Sequence, residues 1–266
     1  MRAAMQRKET PRIPTMPQTT HDLALRIYAD DFGGDFIEGL RQAFERPSII
    51  YDYAIRLAED TDCDGLRLFV RPEPMATRRA GEDIIIVDAK TGDRLGKVDI
   101  HGGGHFVPDK PTPTIETIEE ARARLDAIVA GYSDEKMELL RQARARIPDR
   151  FVAGAPGGIT MNTYTILRGR EQAMMDLVDR PDFVHAVMDM QAEAIIKNAE
   201  KLVKTGIDVL YIGDPASSAS LISPRHFEQF CLPAYRKFCT HMKRYHDILI
   251  YIHICGNSSP ILEMMA

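Results

Sequence analysis

The sequence predicts an α/β protein built on a parallel sheet, and three observations carry that reading. Short, nearly continuous apolar runs such as Val209-Leu210-Tyr211-Ile212 and Ile248-Leu249-Ile250-Tyr251-Ile252 have the composition of strands covered on both faces. These runs alternate with long stretches of helical periodicity, which selects a β/α barrel or a doubly wound sheet. The chain has 266 residues, 44% of them hydrophobic, enough to bury one large core.

Residues 1–20 carry Pro11, Pro14 and Pro17 with little periodicity and are expected to form a flexible arm. From Asp35 the pattern turns helical, with Phe36, Leu40, Ala43 and Phe44 on one face, and a second helix opens at Pro47 and carries Ile50, Ala54, Ile55 and Leu57. Gly65 to Val70 reads as a strand. Two β-rich runs, Asp83–Ala89 and Arg94–Ile100, flank Lys90-Thr91-Gly92-Asp93, a tight-turn signal, so a β-hairpin excursion from the main domain is expected at about 83–100. Pro108, Pro111 and Pro113 end it, and two charged helices follow over about 115–130 and 133–146.

The second half has a β-α-β-α-β rhythm. Strands are expected at Phe151–Ala155, Asp208–Ile212 and Ile248–Ile254, a long helix at Pro181–Lys204 and another at Pro224–Tyr245. The long helix carries Phe183, Val187, Met190, Ala194, Ile195, Leu202 and Val203 at a period near 3.6, with Met190 read as core. Residues 21–266 are taken as a single domain.

The net charge of −5 and pI near 5.9 leave no basic face for nucleic acid. No run of about 18 apolar residues is present and the basic N-terminus lacks a signal-like apolar core, so a cytosolic, non-membrane protein is expected. Four cysteines, at 63, 231, 239 and 255, are too few for a disulfide framework and read as reduced thiols or metal ligands. Cys231 and Cys239 sit among Phe227, Phe230, Ala234 and Phe238, where cysteine behaves as a small hydrophobe.

In parallel α/β folds the residues that follow each strand form the ligand-binding face. After the last strand come His253-Ile254-Cys255-Gly256-Asn257. Residues two apart on a strand share a side, so His253 and Cys255 offer an imidazole and a thiol together, a pair suited to zinc or, equally, to a buried cysteine beside a hydrogen-bonded histidine. Asp214, after the strand at 208–212, is either a catalytic carboxylate at the mouth of the strand ends or a cap on nearby backbone N–H groups. Gly157 and Gly158 lead from a strand into a helix and could bring backbone and helix N–H groups to a cofactor or anion. Neither a P-loop lysine nor a dinucleotide fingerprint is present, and no Gly-x-Ser-x-Gly elbow occurs. Arg71 and Glu73, after the strand ending at Val70, could lie at the active face, with Glu73 a candidate catalytic residue, or could equally pair with surface charges. His101-Gly102-Gly103-Gly104-His105 reads as a flexible hairpin exit, because three glycines fix no ligand face.

These stretches together resemble a known family. Ile212-Gly213-Asp214-Pro215, Leu221-Ile222-Ser223-Pro224, Leu232-Pro233, His253-Ile254-Cys255-Gly256-Asn257 and Gly154-Ala155-Pro156-Gly157-Gly158-Ile159-Thr160 are similar to segments of the uroporphyrinogen decarboxylase superfamily. His-x-Cys resembles, more narrowly, its corrinoid-dependent methyltransferases, and the Arg-rich N-terminal motif of the true decarboxylases is not matched. The resemblance covers about residues 150–266 and is poor before Asp60. It implies a (β/α)8 TIM barrel, zinc at His253 and Cys255, Asn257 near the bound groups, and methyl transfer between a corrinoid protein and a small-molecule donor or a thiol or folate acceptor. A decarboxylase-like lyase acting on a carboxylated small molecule is the alternative. A complete barrel of this kind continues past the position of Ala266 and supplies a further cysteine ligand there. The chain is therefore expected to be an incomplete barrel, finished by a longer polypeptide or by another copy or chain.

Overall fold

The computed structural model describes residues 1–17 and 21–266, so the part of the expected arm at 18–20 lies outside the described residues. The chain forms two compact units, one of Met1–Pro113 with Leu139–Val152, the other of Thr114–Glu138 with Ala153–Ala266. Among the described residues no helix is long and apolar enough to cross a membrane.

The first unit opens with a short helix α1 (Arg2–Met5), and Thr15 donates its backbone N–H to the Asp64 carboxylate at 2.7 Å. Helices α2 (His21–Ile27), α3 (Phe36–Glu45) and α4 (Ile49–Asp60) follow. Asp35 starts α3 by accepting from the backbone N–H groups of Ile37 and Glu38, the pairing that satisfies otherwise orphaned donors at a helix start. Strand β1 is only Gly65–Arg67, shorter than the 65–70 run suggests, and the segment after it is irregular.

The expected hairpin is the inner pair of a four-stranded antiparallel sheet ordered β2 (Ala76–Ala80), β3 (Asp83–Val87), β4 (Arg94–Asp99), β5 (His105–Pro108). Gly92 supplies the positive φ of the β3–β4 turn, and Asp88 accepts from Lys90 and Thr91 N–H across it. The outer strands are exposed and polar or irregular, so the alternation that marks a half-buried strand is absent from them. Leu25, Leu40, Ala43, Ile50, Ile84, Ile86, Val98 and Ile100 form the buried core between this sheet and the helices.

Helices α5 (Ile118–Ala130) and α6 (Asp134–Ala145) follow, α5 started by a reciprocal Thr117–Glu120 capping box. Strand β6 (Phe151–Gly154) begins in the first unit, where Phe151 N–H donates to the Asp64 carbonyl, and ends in the second.

The second unit is the α/β part. Helices α7 (Met161–Arg168), α8 (Arg170–Asp179) and α9 (Pro181–Val203) lead to strand β7 (Val209–Gly213). The short helix α10 (Pro224–His226), a π-turn over Phe227–Cys231 and helix α11 (Leu232–Tyr245) lead to β8 (Leu249–His253), and α12 (Leu262–Met265) follows. The π-turn interrupts what the sequence presents as one helix. β6, β7 and β8 are parallel and in register, Ala153 beside Val209 and Val209 beside Leu249. Residues 209–212 of β7 are buried, as its composition predicts, whereas every residue of β8 is half-buried, because among the described residues β8 pairs along one edge only. On α9 the buried methionine is Met188; Met190, expected in the core, is half-buried, one helical step off the stripe centred on Val187, Ile195 and Leu202.

Candidate functional site

The carboxyl ends of β6, β7 and β8 carry three loops that tie to one another. Asp214 N–H donates to the His253 carbonyl at 3.0 Å, Ala219 N–H to the Asn257 carbonyl at 2.9 Å, and Asn257 N–H to Ser220 Oγ at 2.9 Å. Gly256 has φ +79°, and a Cβ there would lie 2.6 Å from Ser220 Oγ, so the turn after β8 requires glycine both for its dihedral and for its closeness to the β7 loop.

His253 and Cys255 come together as their spacing predicts. His253 Nε2 lies 3.0 Å from Cys255 Sγ, with the imidazole half-buried near the Tyr211 ring and the thiol exposed. Tetrahedral zinc, with bonds of about 2.0 Å to nitrogen and 2.3 Å to sulfur, separates two such ligands by about 3.6 Å. The two side chains need to part by only a fraction of an ångström to share an ion. They fit as two ligands of a zinc site and leave the remaining positions to other donors.

Asp214 is placed otherwise than at an open mouth. It is fully buried, and Oδ2 accepts from Thr160 N–H (2.8 Å), Thr160 Oγ1 (2.6 Å) and Tyr235 OH (2.9 Å), while Oδ1 accepts from Asn162 N–H (2.7 Å). The carboxylate therefore sits on the N-terminus of α7, where the helix dipole favours a negative charge. Thr160 Oγ1 also meets Ser217 Oγ at 2.7 Å, and Cys231 Sγ packs beside Ser217. Burial pushes the Cys231 thiol up to about 12, helped by the Asp214 charge, so it is a packing residue and not a nucleophile. Burial first, and then Asp214, keeps the Tyr235 phenol protonated far above its ordinary range.

Gly157 and Gly158 lie at the end of β6. Gly157 has φ +121°, with Ile195 Cδ1 2.6 Å from where a Cβ would stand, and Gly158 fits against the Gly213 carbonyl. Around them Asn198 Nδ2 donates to the Pro156 carbonyl, Gln191 Nε2 to the Ile159 and Thr160 carbonyls, and Tyr132 OH to the Ala155 carbonyl. The N–H groups at Thr160 and Asn162, which the glycine loop was expected to aim at an external anion, are already occupied by Asp214. Glu73 belongs to the first unit, exposed between β1 and β2, and Arg71 beside it donates to the Phe69 carbonyl.

Sequence reasoning missed Thr160, Tyr235, Gln191 and Asn198. Gln191 and Asn198 could have been found: each is a polar residue falling within the apolar face of α9, and both are fully buried. Tyr235 offers no such signal, since a tyrosine on an apolar helix face is ordinary.

Comparisons with known proteins place the chain in a family. A family model described as uroporphyrinogen decarboxylase (URO-D) matches residues 79–266. The methylcobamide:CoM methyltransferase MtaA of Methanosarcina barkeri is 30% identical over 157 residues, 58% of this chain and 44% of that protein. The uroporphyrinogen decarboxylase of Desulfotalea psychrophila is 27% identical over 150 residues, 53% of this chain and 43% of its own length. The chain thus spans less than half the length of these relatives in the matched region. A solved methyltransferase from Methanosarcina mazei superposes with a TM-score of 0.62 at 22% identity, covering 99% of this chain and 71% of that one, a likeness of fold. With three parallel strands in register, strand-end loops tied to one another and a family match over most of its length, the chain belongs to the uroporphyrinogen decarboxylase family.

Proposed function

We propose that this protein is a methyltransferase that passes a methyl group between a corrinoid carried by a partner protein and a small-molecule donor or acceptor, with zinc held by His253 and Cys255. The observation that supports it most is the pairing of His253 Nε2 and Cys255 Sγ at 3.0 Å on the carboxyl end of β8, with the thiol exposed. The similarity to methylcobamide:CoM methyltransferases makes a small thiol of the coenzyme M kind the acceptor to test first, with folate next.

Zinc bound there would hold an acceptor thiol as its thiolate at neutral pH, or polarise a methylated donor as a Lewis acid. In transfer to a thiol, the S–CH3 bond forms as the Co–CH3 bond breaks, the bonding pair stays on cobalt as Co(I), and the thiol proton passes to solvent. The chain's own residues supply position. The Asp214 N–H bond to the His253 carbonyl fixes the end of β8, and Gly256 turns the chain so that Cys255 faces outward. The Thr160–Asp214–Tyr235 network holds the β6 and β7 loops rigid beside it. In this reading Asp214 is a positioning residue, and Gly157, Gly158 and Asn257 shape the backbone around the bound groups.

The test is demethylation of methylcobalamin under argon with thiol and folate acceptors, following Co(I) spectroscopically, with zinc content measured on the same samples. Cys255→Ala should lose methyl transfer together with the zinc held at the end of β8. Unchanged transfer by Cys255→Ala refutes the zinc mechanism. The similarity to decarboxylases supports one competing reading, a carboxy-lyase. That reading gains if the protein holds no zinc at His253 and Cys255, does not demethylate methylcobalamin, and instead releases carbon dioxide from a carboxylated substrate.

A further inference from the structure

A second group of metal-ligating side chains lies in the second unit, away from the strand ends. Helices α9 and α11 run side by side, joined by Lys237 Nζ to Asp189 (2.6 Å) and Glu193 (2.9 Å). Further along, His241 Nε2 meets Glu200 Oε1 at 2.8 Å, and His246, the residue that ends α11 with an extended backbone, turns its ring to the same point. One donor atom each from Glu200, His241 and His246 lies within 4.8 Å of the others, and all three residues are half-buried.

Two features distinguish this cluster from an ordinary surface ion pair. His246 Nε2 is buried and has no hydrogen-bond partner among the described residues, a condition native structures rarely leave unexplained. The donor set, two imidazole nitrogens and one carboxylate oxygen, is also one that holds zinc with a position left open. Ligand atoms about 2.0–2.1 Å from a tetrahedral ion stand about 3.4 Å apart. No separation here needs to close by more than about 1.4 Å, within the reach of side-chain rotation on a fixed backbone.

We propose that Glu200, His241 and His246 bind a divalent ion of borderline softness, zinc being the one this donor set fits best. The ion joins α9 to the end of α11 and to the entry of β8, which begins three residues after His246. β8 itself rises about 13 Å from Leu249 to His253, so this site and the His253–Cys255 pair do not share an ion. The proposal stands independently of the methyltransferase reading.

The full chain, stripped of metal, is titrated with Co2+ and Zn2+ in a Cys255→Ser background, which removes the only thiolate of the other site. The Cys255→Ser protein should bind one ion, with Co2+ bands that lack thiolate-to-cobalt charge transfer, and Zn2+ should raise its thermal midpoint. Adding His241→Gln or His246→Gln should weaken binding at least tenfold and abolish the thermal shift. Glu200→Gln, which keeps a hydrogen bond to His241, serves as the variant least prone to misfold, and metal-free unfolding midpoints report whether each variant is intact. Equal affinity in Cys255→Ser with and without Glu200→Gln or His241→Gln, or no bound ion in Cys255→Ser, overturns the proposal.

Discussion

Asp214→Asn tests the view that this side chain anchors the site from within. The change is isosteric and leaves no cavity, so its effect comes from hydrogen bonding. With the amide oxygen in the place of Oδ2, three bonds survive, from Thr160 N–H, Thr160 Oγ1 and Tyr235 OH, but they become neutral. Bonds to an ionised acceptor exceed neutral ones by about 1 kcal/mol each, which gives about 3 kcal/mol. The amide NH2 then faces Asn162 N–H, 2.7 Å away from the oxygen it replaces, and a donor opposed by a donor costs about 1–3 kcal/mol more. Burying an amide costs less than burying a carboxylate, which offsets part of this. The net expectation is a loss of about 3 kcal/mol in urea unfolding followed by circular dichroism, with faster hydrogen exchange at the Thr160 and Asn162 amides. A loss below about 0.5 kcal/mol, with unchanged exchange at those two amides, refutes the anchoring role.

Other perturbations follow from the same structure. Arg168→Met leaves Asp176 buried without the guanidinium that binds it at 2.7 Å and should cost about 3–5 kcal/mol in chemical unfolding. Burial opposes ionisation of Asp176, but hydrogen bonds from Arg168, Gln172 and Tyr164 outweigh it and hold its carboxyl below the usual range. Its contribution is present above the unfolded carboxylate pKa of about 3.9 and is lost as pH falls below that, so an acid unfolding profile should steepen there and Arg168→Met should flatten it. Burial raises the phenols of Tyr132, Tyr164 and Tyr235. The unfolded chain releases those protons from about pH 10 while the folded one retains them, so stability should decline above that pH, less steeply in Tyr235→Phe. Gly157→Ala combines a left-handed φ with a Cβ 2.6 Å from Ile195 and should lower stability by about 1–3 kcal/mol, read as a shifted thermal midpoint.

The sequence by itself determined the elements whose signals are local. Period 3.6 placed α9 to within a residue of Pro181–Val203, apolar runs placed β6, β7 and β8, and Gly92 marked the turn between β3 and β4. The spacing of His253 and Cys255 put an imidazole and a thiol near one another, although β8 ends at His253 and the turn at Gly256, not strand alternation, accompanies their 3.0 Å approach. Tertiary structure decided whatever depends on a partner remote in sequence. Asp214 and Thr160 are 54 residues apart, and only packing brings the carboxylate onto the end of α7, where it takes the N–H groups that the glycine loop alone would leave to a ligand. Glu200 and His241 are 41 residues apart and meet because α9 and α11 lie together, a juxtaposition that no motif spacing encodes. The exposed strands β2 and β5 were invisible for the same reason: edge pairing comes from the backbone of a neighbour, and their own side chains carry no burial pattern.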